Sequence, residues 1–385
     1  MRGRAGSAAR LPNSGGGRWQ ARAAPTVPVS LAIHWASMRH ISFRTVRPQK
    51  RGPSGPVAVR PSLDLVGAAL RRSPMALQML GDRWSLLILR DAFLGACRFS
   101  EFYRLTGAPS GTLAARLKTL VQQGVMYRNP VGTRHDQFEY LLTGRGLNLA
   151  DFALCIWTWE HKWGGDSGLP AGLEHLSCGK LTTPTTVCRH CRKDVAVENV
   201  QVESGPGIAA RLPGRDVSRL REPNRLRVGP DVNRMFYRVI DVFGDRWSSR
   251  LLAAFFMGVR RFADLGAATG VATNILSARL RRLVKFSIVV RSSIGGEWGY
   301  DLTPAGLDLF HAVLAVHKWS DRWAAGPSGS PLALRHVTCG ELVDTSVVCS
   351  SCADPLELHE LELRVSREQR RPEKKAKARR RAVGT

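Results

Sequence analysis

At 385 residues the chain is long enough for two or three domains of ordinary size, and its net charge of +26 suggests a polyanionic partner. The charge sits at the ends, however. Residues 1–63 hold eleven Lys/Arg and no acid, and residues 364–385 hold ten against Glu368 and Glu373, which leaves +7 for 64–363. Basic tails attract any polyanion without reading sequence, so overall charge does not by itself establish nucleic-acid binding. No stretch reaches the roughly 20 apolar residues of a membrane helix, so no membrane partner is expected.

Residues 1–62 are rich in Gly, Pro, Ser and Arg and lack a sustained apolar period, which predicts a disordered basic leader. A transit-peptide-like segment, or translation beginning at Met38 or Met75, are the alternatives. From Leu63 to Leu80, apolar residues at helical spacing predict one helix, interrupted or restarted at Ser73-Pro74. Trp84, Leu87, Ile88 and Phe93 give a second helix that ends at Gly95. Phe99, Phe102 and Leu105 give a third, ended by Gly107, and Leu113, Leu117, Leu120 and Val121 a fourth, which stops at Gly124. The period then alternates. Val125–Arg128 and Phe138–Leu142 flank a polar loop, which predicts a hairpin. Thr143 caps a long last helix, from 144 to about 163, rich in Trp. The leftover cysteines, Cys97 and Cys155, read as buried small hydrophobes.

The whole unit then recurs. Gly81-Asp82-Arg83-Trp84-Ser85 returns as Gly244-Asp245-Arg246-Trp247-Ser248, an offset of 163 that also relates Thr112–Leu120 to Ile275–Leu283. Trp159 and Trp163 return as Trp319 and Trp323. Helix, turn, second helix, then hairpin is the order of a winged helix-turn-helix. The expected fold class is therefore mainly α with small β-hairpins (α+β). Winged domains span 63–165 and 231–325, zinc-ribbon-like elements 166–203 and 326–365, a linker 204–230, and a basic tail 366–385.

In this reading Ser110 and Thr112 open the reading helix of the first copy, with Arg116 and Lys118 beyond them and Arg128 and Arg134 on the hairpin. The corresponding set in the second copy is Thr273, Asn274, Ser277, Arg279, Arg281 and Arg282; Asn274 has the chemistry to read adenine. A structural reading competes: Arg116 and Arg279 each precede a core Leu, where an Arg often pairs with a nearby carboxylate. Asp82 and Arg83 are read as a helix cap and a salt-bridge partner, and Trp84 and Trp247 as core.

Each copy is followed by four ligand-type residues in two close pairs: His175-x2-Cys178-x9-Cys188-x2-Cys191 and His336-x2-Cys339-x9-Cys349-x2-Cys352. Such pairs at the ends of a hairpin suit a tetrahedral Cys3His zinc site, closed and therefore structural rather than catalytic. His190 and His359 stand as reserve ligands, and Val195–Val197 and Leu356–Leu358 as closing strands. A redox-switchable thiol pair, or an emptied ancestral site, is the alternative.

The run Gly81–Ser85, Leu86–Asp91, Gly95, Arg98-Phe99, Leu113–Leu117 and Tyr140–Thr143, with the Trp-rich last helix, resembles the HxlR-type family of bacterial winged helix-turn-helix regulators. The second copy matches less closely, with Arg250 and Phe255 where the first has Leu87 and Ala92. The resemblance implies a cytoplasmic, nucleoid-associated, non-enzymatic regulator of transcription bound to double-stranded DNA, its effector unnamed. Family members pair two domains through their first and last helices. One chain here would form that pair internally, as a monomer, or as part of a homodimer, on an asymmetric pseudopalindrome. A protein-interaction adaptor is the alternative. Members that sense thiol-reactive compounds use a cysteine just before Gly-Asp-Arg-Trp; residues 63–80 and 231–243 contain none.

Overall fold

The computed structural model describes residues 61–72, 81–131, 137–165, 169, 172–209, 236–325 and 327–364. The expected leader up to residue 60, the restart at Ser73-Pro74, Arg134, residues 210–230 of the linker and the basic tail lie outside the described residues. The protein is mixed α+β, two tandem helical units with small antiparallel sheets, and a Cys/His cluster follows each unit.

The first unit comprises α1 (Leu63–Arg72), α2 (Arg83–Phe93), α3 (Phe99–Thr106), α4 (Ser110–Gln122), β1 (Met126–Pro130), β2 (Phe138–Leu142), α5 (Gly144–Leu147) and α6 (Ala150–Trp163). Asp82 caps α2, its carboxylate accepting the Ser85 N–H at 2.9 Å and hydroxyl at 2.7 Å. Leu113, Leu117 and Leu120 are fully buried, so one face of α4 is given to the core and the opposite face to solvent. The long last helix expected from Thr143 is two helices. Thr143 ties the short α5 to the hairpin by donating to the Gly124 carbonyl at 2.6 Å, whereas α6 follows its packing partner in the other unit.

The second unit repeats the order with α7 (Tyr237–Phe243), α8 (Arg246–Phe256), α9 (Phe262–Thr269), α10 (Thr273–Lys285), β7 (Val289–Ile294), β8 (Glu297–Leu302), α11 (Pro304–Asp308) and α12 (Phe310–Trp323). Gly295 and Gly296, at φ 59° and 86°, close its wing in two residues, as a tight hairpin requires.

The two units share one core. α6 packs against α12, and each donates an indole N–H across the junction: Trp159 to the Ala305 carbonyl at 2.7 Å, Trp319 to the Arg145 carbonyl at 2.9 Å. α1 lies on α8 and α9 of the opposite unit, and α7 lies on α2. The two capping aspartates, Asp82 and Asp245, meet in an antiparallel bridge. Gly244 sits beside it, where a Cβ would come within 2.8 Å of the Arg83 Cα.

Strands after the winged units are exchanged. β3 (Gly172–His175) and β4 (Lys180–Thr182) form a hairpin, but β3 also pairs with β11 (Leu361–Arg364) from the end of the chain. β6 (Val200–Ser204) pairs with β9 (Leu332–His336), and β5 (Thr185–Cys188) with β10 (Thr345–Val348). The closing strands therefore begin at Val200 and Leu361, after one turn of 3-10 helix at Val197–Asn199 and Leu358–Glu360. They start later than the alternation around Val195 and Leu356 predicts, and each closes the other repeat.

Glu160 on α6 is 1% exposed and accepts the Val239 N–H of α7 at 3.2 Å. Burial raises its pKa from 4.5 to about 7, against the lowering pull of the Val239 and Arg238 N–H groups and of the Arg238 charge; Asp241 raises it further. The neutral acid is favoured by folding, so this group's contribution is fully present below pH 4.5 and lost as pH rises through about 7. Glu160→Gln is expected to flatten the fall in stability between pH 5 and 8 and to gain up to about 3 kcal/mol at pH 8. Urea unfolding of both proteins at the two pH values measures this; an unchanged difference between pH 5 and 8 contradicts it.

Candidate metal centres and reading helices

All four ligand pairs fold as the same tight turn. The N–H of the residue after each pair donates back to the carbonyl of the first ligand: Gly179 to His175 at 2.8 Å, Arg192 to Cys188 at 2.8 Å, Gly340 to His336 at 2.8 Å and Ala353 to Cys349 at 2.9 Å. Those four residues have φ of 66°, 61°, 77° and 63°. Glycine takes this left-handed conformation freely; Arg192 and Ala353 are strained in it.

The turns do not assemble as sequence order suggests. His175 and Cys178 meet Cys349 and Cys352, while Cys188 and Cys191 meet His336 and Cys339, with all ligand atoms in each group within 4.8 Å of one another. The expected grouping within one repeat is therefore corrected to two groups that each draw on both repeats. The cause is the β5–β10 pairing. Val348 lies opposite Thr185 and Thr345 opposite Cys188, so each Cys-x2-Cys turn is carried to the far end of its partner strand. His190 is exposed, His359 approaches Glu357 at 3.4 Å, and neither joins a group.

The donor sets fit a tetrahedral ion. Bonds of about 2.3 Å to sulfur and 2.0–2.1 Å to nitrogen imply edges of about 3.8 Å between sulfurs and about 3.5 Å from nitrogen to sulfur. Sulfur separations are 3.9 Å for Cys178–Cys349 and for Cys188–Cys339, and each His Nδ1 is 3.4 Å from a sulfur, Cys352 for His175 and both Cys191 and Cys339 for His336. All eight cysteines are free thiols. Both histidines are fully buried and turn Nδ1 toward the sulfurs, while Nε2 makes no hydrogen bond in either. Each group offers four protein donors, which would leave no position open on a tetrahedral ion.

The expected DNA contacts divide in two. Ser110, Lys118, Arg128, Thr273, Asn274 and Arg281 are exposed, with Thr112 and Ser277 half-buried. Neither α4 nor α10 has a side-chain cap on its first N–H groups. Arg116 instead pairs with Asp82 at 2.9 Å, Arg279 with Asp245, and Arg282 with Asp241 at 3.3 Å. Arg116 and Arg279 tie α4 and α10 to the capping aspartates of α2 and α8, and Arg282 ties α10 to α7. Arg128 lies over the Phe138 ring at 3.9 Å. In the second wing, Arg291 stands 163 positions after Arg128 and lies over Trp298, which is 69% exposed. The sequence reading passed over that pair, although the repeat offset could have found it.

The HxlR-like helix-turn-helix profile matches residues 79–167 and 242–327. An uncharacterized HTH-type transcriptional regulator of Mycobacterium tuberculosis (strain ATCC 25618 / H37Rv) is 38% identical over 138 residues, 36% of this chain and 87% of the relative. The chain belongs to the HxlR-like helix-turn-helix family. An uncharacterized HTH-type transcriptional regulator of Bacillus subtilis (strain 168) is 34% identical over 93 residues, 24% of this chain and 86% of the relative. The crystal structure of a proposed transcription factor, PA1607, is 33% identical and covers 33% of this chain and 90% of that one, with a TM-score of 0.30.

Beside the two HxlR-like units, the Cys/His turns carry stored backbone strain that can be relieved. Ala353→Gly is expected to stabilise the metal-loaded protein by about 1 kcal/mol, the left-handed strain outweighing the added freedom of glycine in the unfolded chain. Chemical denaturation measures it, and a loss of stability contradicts the strained assignment.

Proposed function

We propose that this HxlR-like chain is a sequence-specific DNA-binding regulator, acting on the bacterial nucleoid, that presents both halves of a pseudo-dimer from one polypeptide. The observation that carries this reading is the pair of reading helices. Both α4 and α10 open on exposed polar residues with uncapped N–H groups, and both turn a cation, Lys118 or Arg281, outward. Uncapped N–H groups and the helix dipole attract a phosphate, and the outward side chains then lie within reach of base edges. Arg128 and Arg134 would grip the flanking backbone. Because Ser110 and Thr112 face one half-site and Thr273 and Asn274 the other, the operator would be an asymmetric pseudopalindrome.

Lys118→Ala and Arg281→Ala are each expected to weaken binding to a genomic operator fragment and to lower the slope of log affinity against log salt by about one. Arg116→Ala is expected to lower stability first, since its charge is spent on Asp82. Unchanged affinity and slope in both outward variants would sink the placement of the reading helices.

The two Cys/His groups are read as structural zinc sites that fasten one repeat to the other. Zinc suits three thiolates and an imidazole in a closed tetrahedron, and such binding contributes directly to folding free energy. Two double variants separate the cross-repeat grouping from the sequence-order grouping. Cys178→Ser with Cys349→Ser damages one composite site and should leave one zinc per chain. Cys178→Ser with Cys188→Ser damages both and should leave none. The opposite pattern, measured by elemental analysis, would restore local clusters.

A further inference from the structure

We infer that the two metal centres are unequal: the His175 centre is the tight one, and the His336 centre releases its ion first. The inference rests on reading both groups as zinc sites and concerns what stands behind the ligands. Behind His175, the Glu360 carboxylate places Oε2 3.5 Å from Nε2, and its other oxygen accepts the Ser177 hydroxyl at 3.0 Å. With a metal on Nδ1, the Nε2–H has a carboxylate to donate to. A carboxylate in that place fixes the ring and raises its basicity as a ligand.

The repeat offset of 161 puts Asn199 where Glu360 stands, and the backbone confirms the equivalence. The Leu176 N–H donates to the Glu360 carbonyl at 2.8 Å, and the Val337 N–H donates to the Asn199 carbonyl at 2.8 Å. The Asn199 Nδ2 donates to the Asp194 carbonyl at 3.0 Å, and its buried Oδ1 makes no hydrogen bond; the Nε2 atoms of His336 and His175 make none either, so the difference between the centres is the carboxylate that stands 3.5 Å from His175 alone. His336 therefore has no charged acceptor at this position to polarise it.

The cysteine turns differ in the same direction. The turn carrying Cys349 and Cys352 is latched to β4. The Ser350 N–H donates to the Thr182 hydroxyl at 3.0 Å, the Thr183 N–H donates to the Ser350 hydroxyl at 3.0 Å, and the Ser351 hydroxyl donates to the Leu181 carbonyl at 3.3 Å. The Ser351 N–H also donates to the Cys349 sulfur at 3.3 Å. At the other centre Thr182, Ser350 and Ser351 are replaced by Val343, Arg189 and His190, which cannot make the same latch. There the Arg189 N–H donates to the Asp344 carbonyl at 2.8 Å, and the Arg189 side chain meets Asp344 at 3.8 Å near the surface. The turn with more hydrogen bonds to its neighbouring strand holds its thiolates closer to their final places before the ion arrives.

The test uses the full chain loaded with zinc and titrated with a chromophoric chelator. Two equivalents are expected to leave in separate steps, with midpoints ten- to a hundredfold apart in chelator. Cys188→Ser with Cys191→Ser should remove the early step, and Cys349→Ser with Cys352→Ser the late one. Glu360→Gln should shift the late step toward the early one, and Asn199→Glu should delay the early step. Cobalt substitution gives a second readout, since thiolate-to-cobalt absorption reports each centre without DNA binding. One unresolved step of two equivalents overturns the inequality while leaving the zinc reading intact. Separate steps that Glu360→Gln does not bring closer remove Glu360 from its positioning role and overturn the argument. A chain that holds no zinc overturns the zinc reading and this inference with it.

Discussion

The antiparallel pairing of β5 with β10 is the contact on which the rest of the architecture depends. It places Cys188 at one end of a shared ribbon and Cys349 at the other, so no Cys-x2-Cys turn stays with the His-x2-Cys turn that precedes it in sequence. Once that register is set, β6 is delivered to β9 and β11 to β3, and each ligand group is completed by the opposite repeat. The exchange works at a distance from the reading helices, yet it bears on their spacing. α6 and α12 lead from the winged units into the ribbons, and their indoles cross the junction to Ala305 and Arg145.

Two copies held in one chain are free to diverge, and the differences fall where the symmetry no longer matters to packing. The buried Arg90–Asp91 pair at 2.8 Å on α2 becomes Ala253-Ala254 on α8. Burial raises the Asp91 pKa, and Arg90 opposes it by charge and hydrogen bond. The second copy replaces that costly charge burial by small apolar side chains, a substitution that can be neutral for stability. Glu160, which holds the first turn of α7, has Ser320 as its counterpart, and Trp157 has His317. By contrast, the capping aspartates and the arginines that α4 and α10 turn toward them are kept in both copies: Arg116 meets Asp82 and Arg279 meets Asp245. That pair fixes how the helix sits on the cap and is the same in both copies, whereas the outward position 163 residues apart is Lys118 in one copy and Arg281 in the other.

Much of this was legible in the sequence because helices and hairpins are local. The leucine stripe of α4, the glycines that stop α3 and α4, and the Asp82 and Asp245 caps all act within a few residues, so their patterns read directly. The ligand grouping was not legible, since four equivalent turns close two tetrahedra equally well within a repeat or across repeats. Only the strand register, a long-range property, chooses between them. The closing strands were misplaced for a related reason: the alternation around Val195 and Leu356 describes residues buried beneath the turns, and pairing begins after the 3-10 turn. For the arginines, the spacing put Arg116, Arg279 and Arg282 in the expected DNA-contact set, with a carboxylate partner as the competing reading for Arg116 and Arg279; which carboxylates they meet, Asp82, Asp245 and Asp241, is tertiary information.

The cross-repeat grouping is tested most directly by asking which thiols are neighbours. A short bis-electrophile that bridges sulfurs a few ångströms apart, applied to the metal-stripped full chain and followed by peptide mapping, reports this without assuming any metal. The account predicts bridged peptides joining Cys178 to Cys349 and Cys188 to Cys339 within a single chain. Bridges joining Cys178 to Cys188 or Cys191, with none between the repeats, would contradict it.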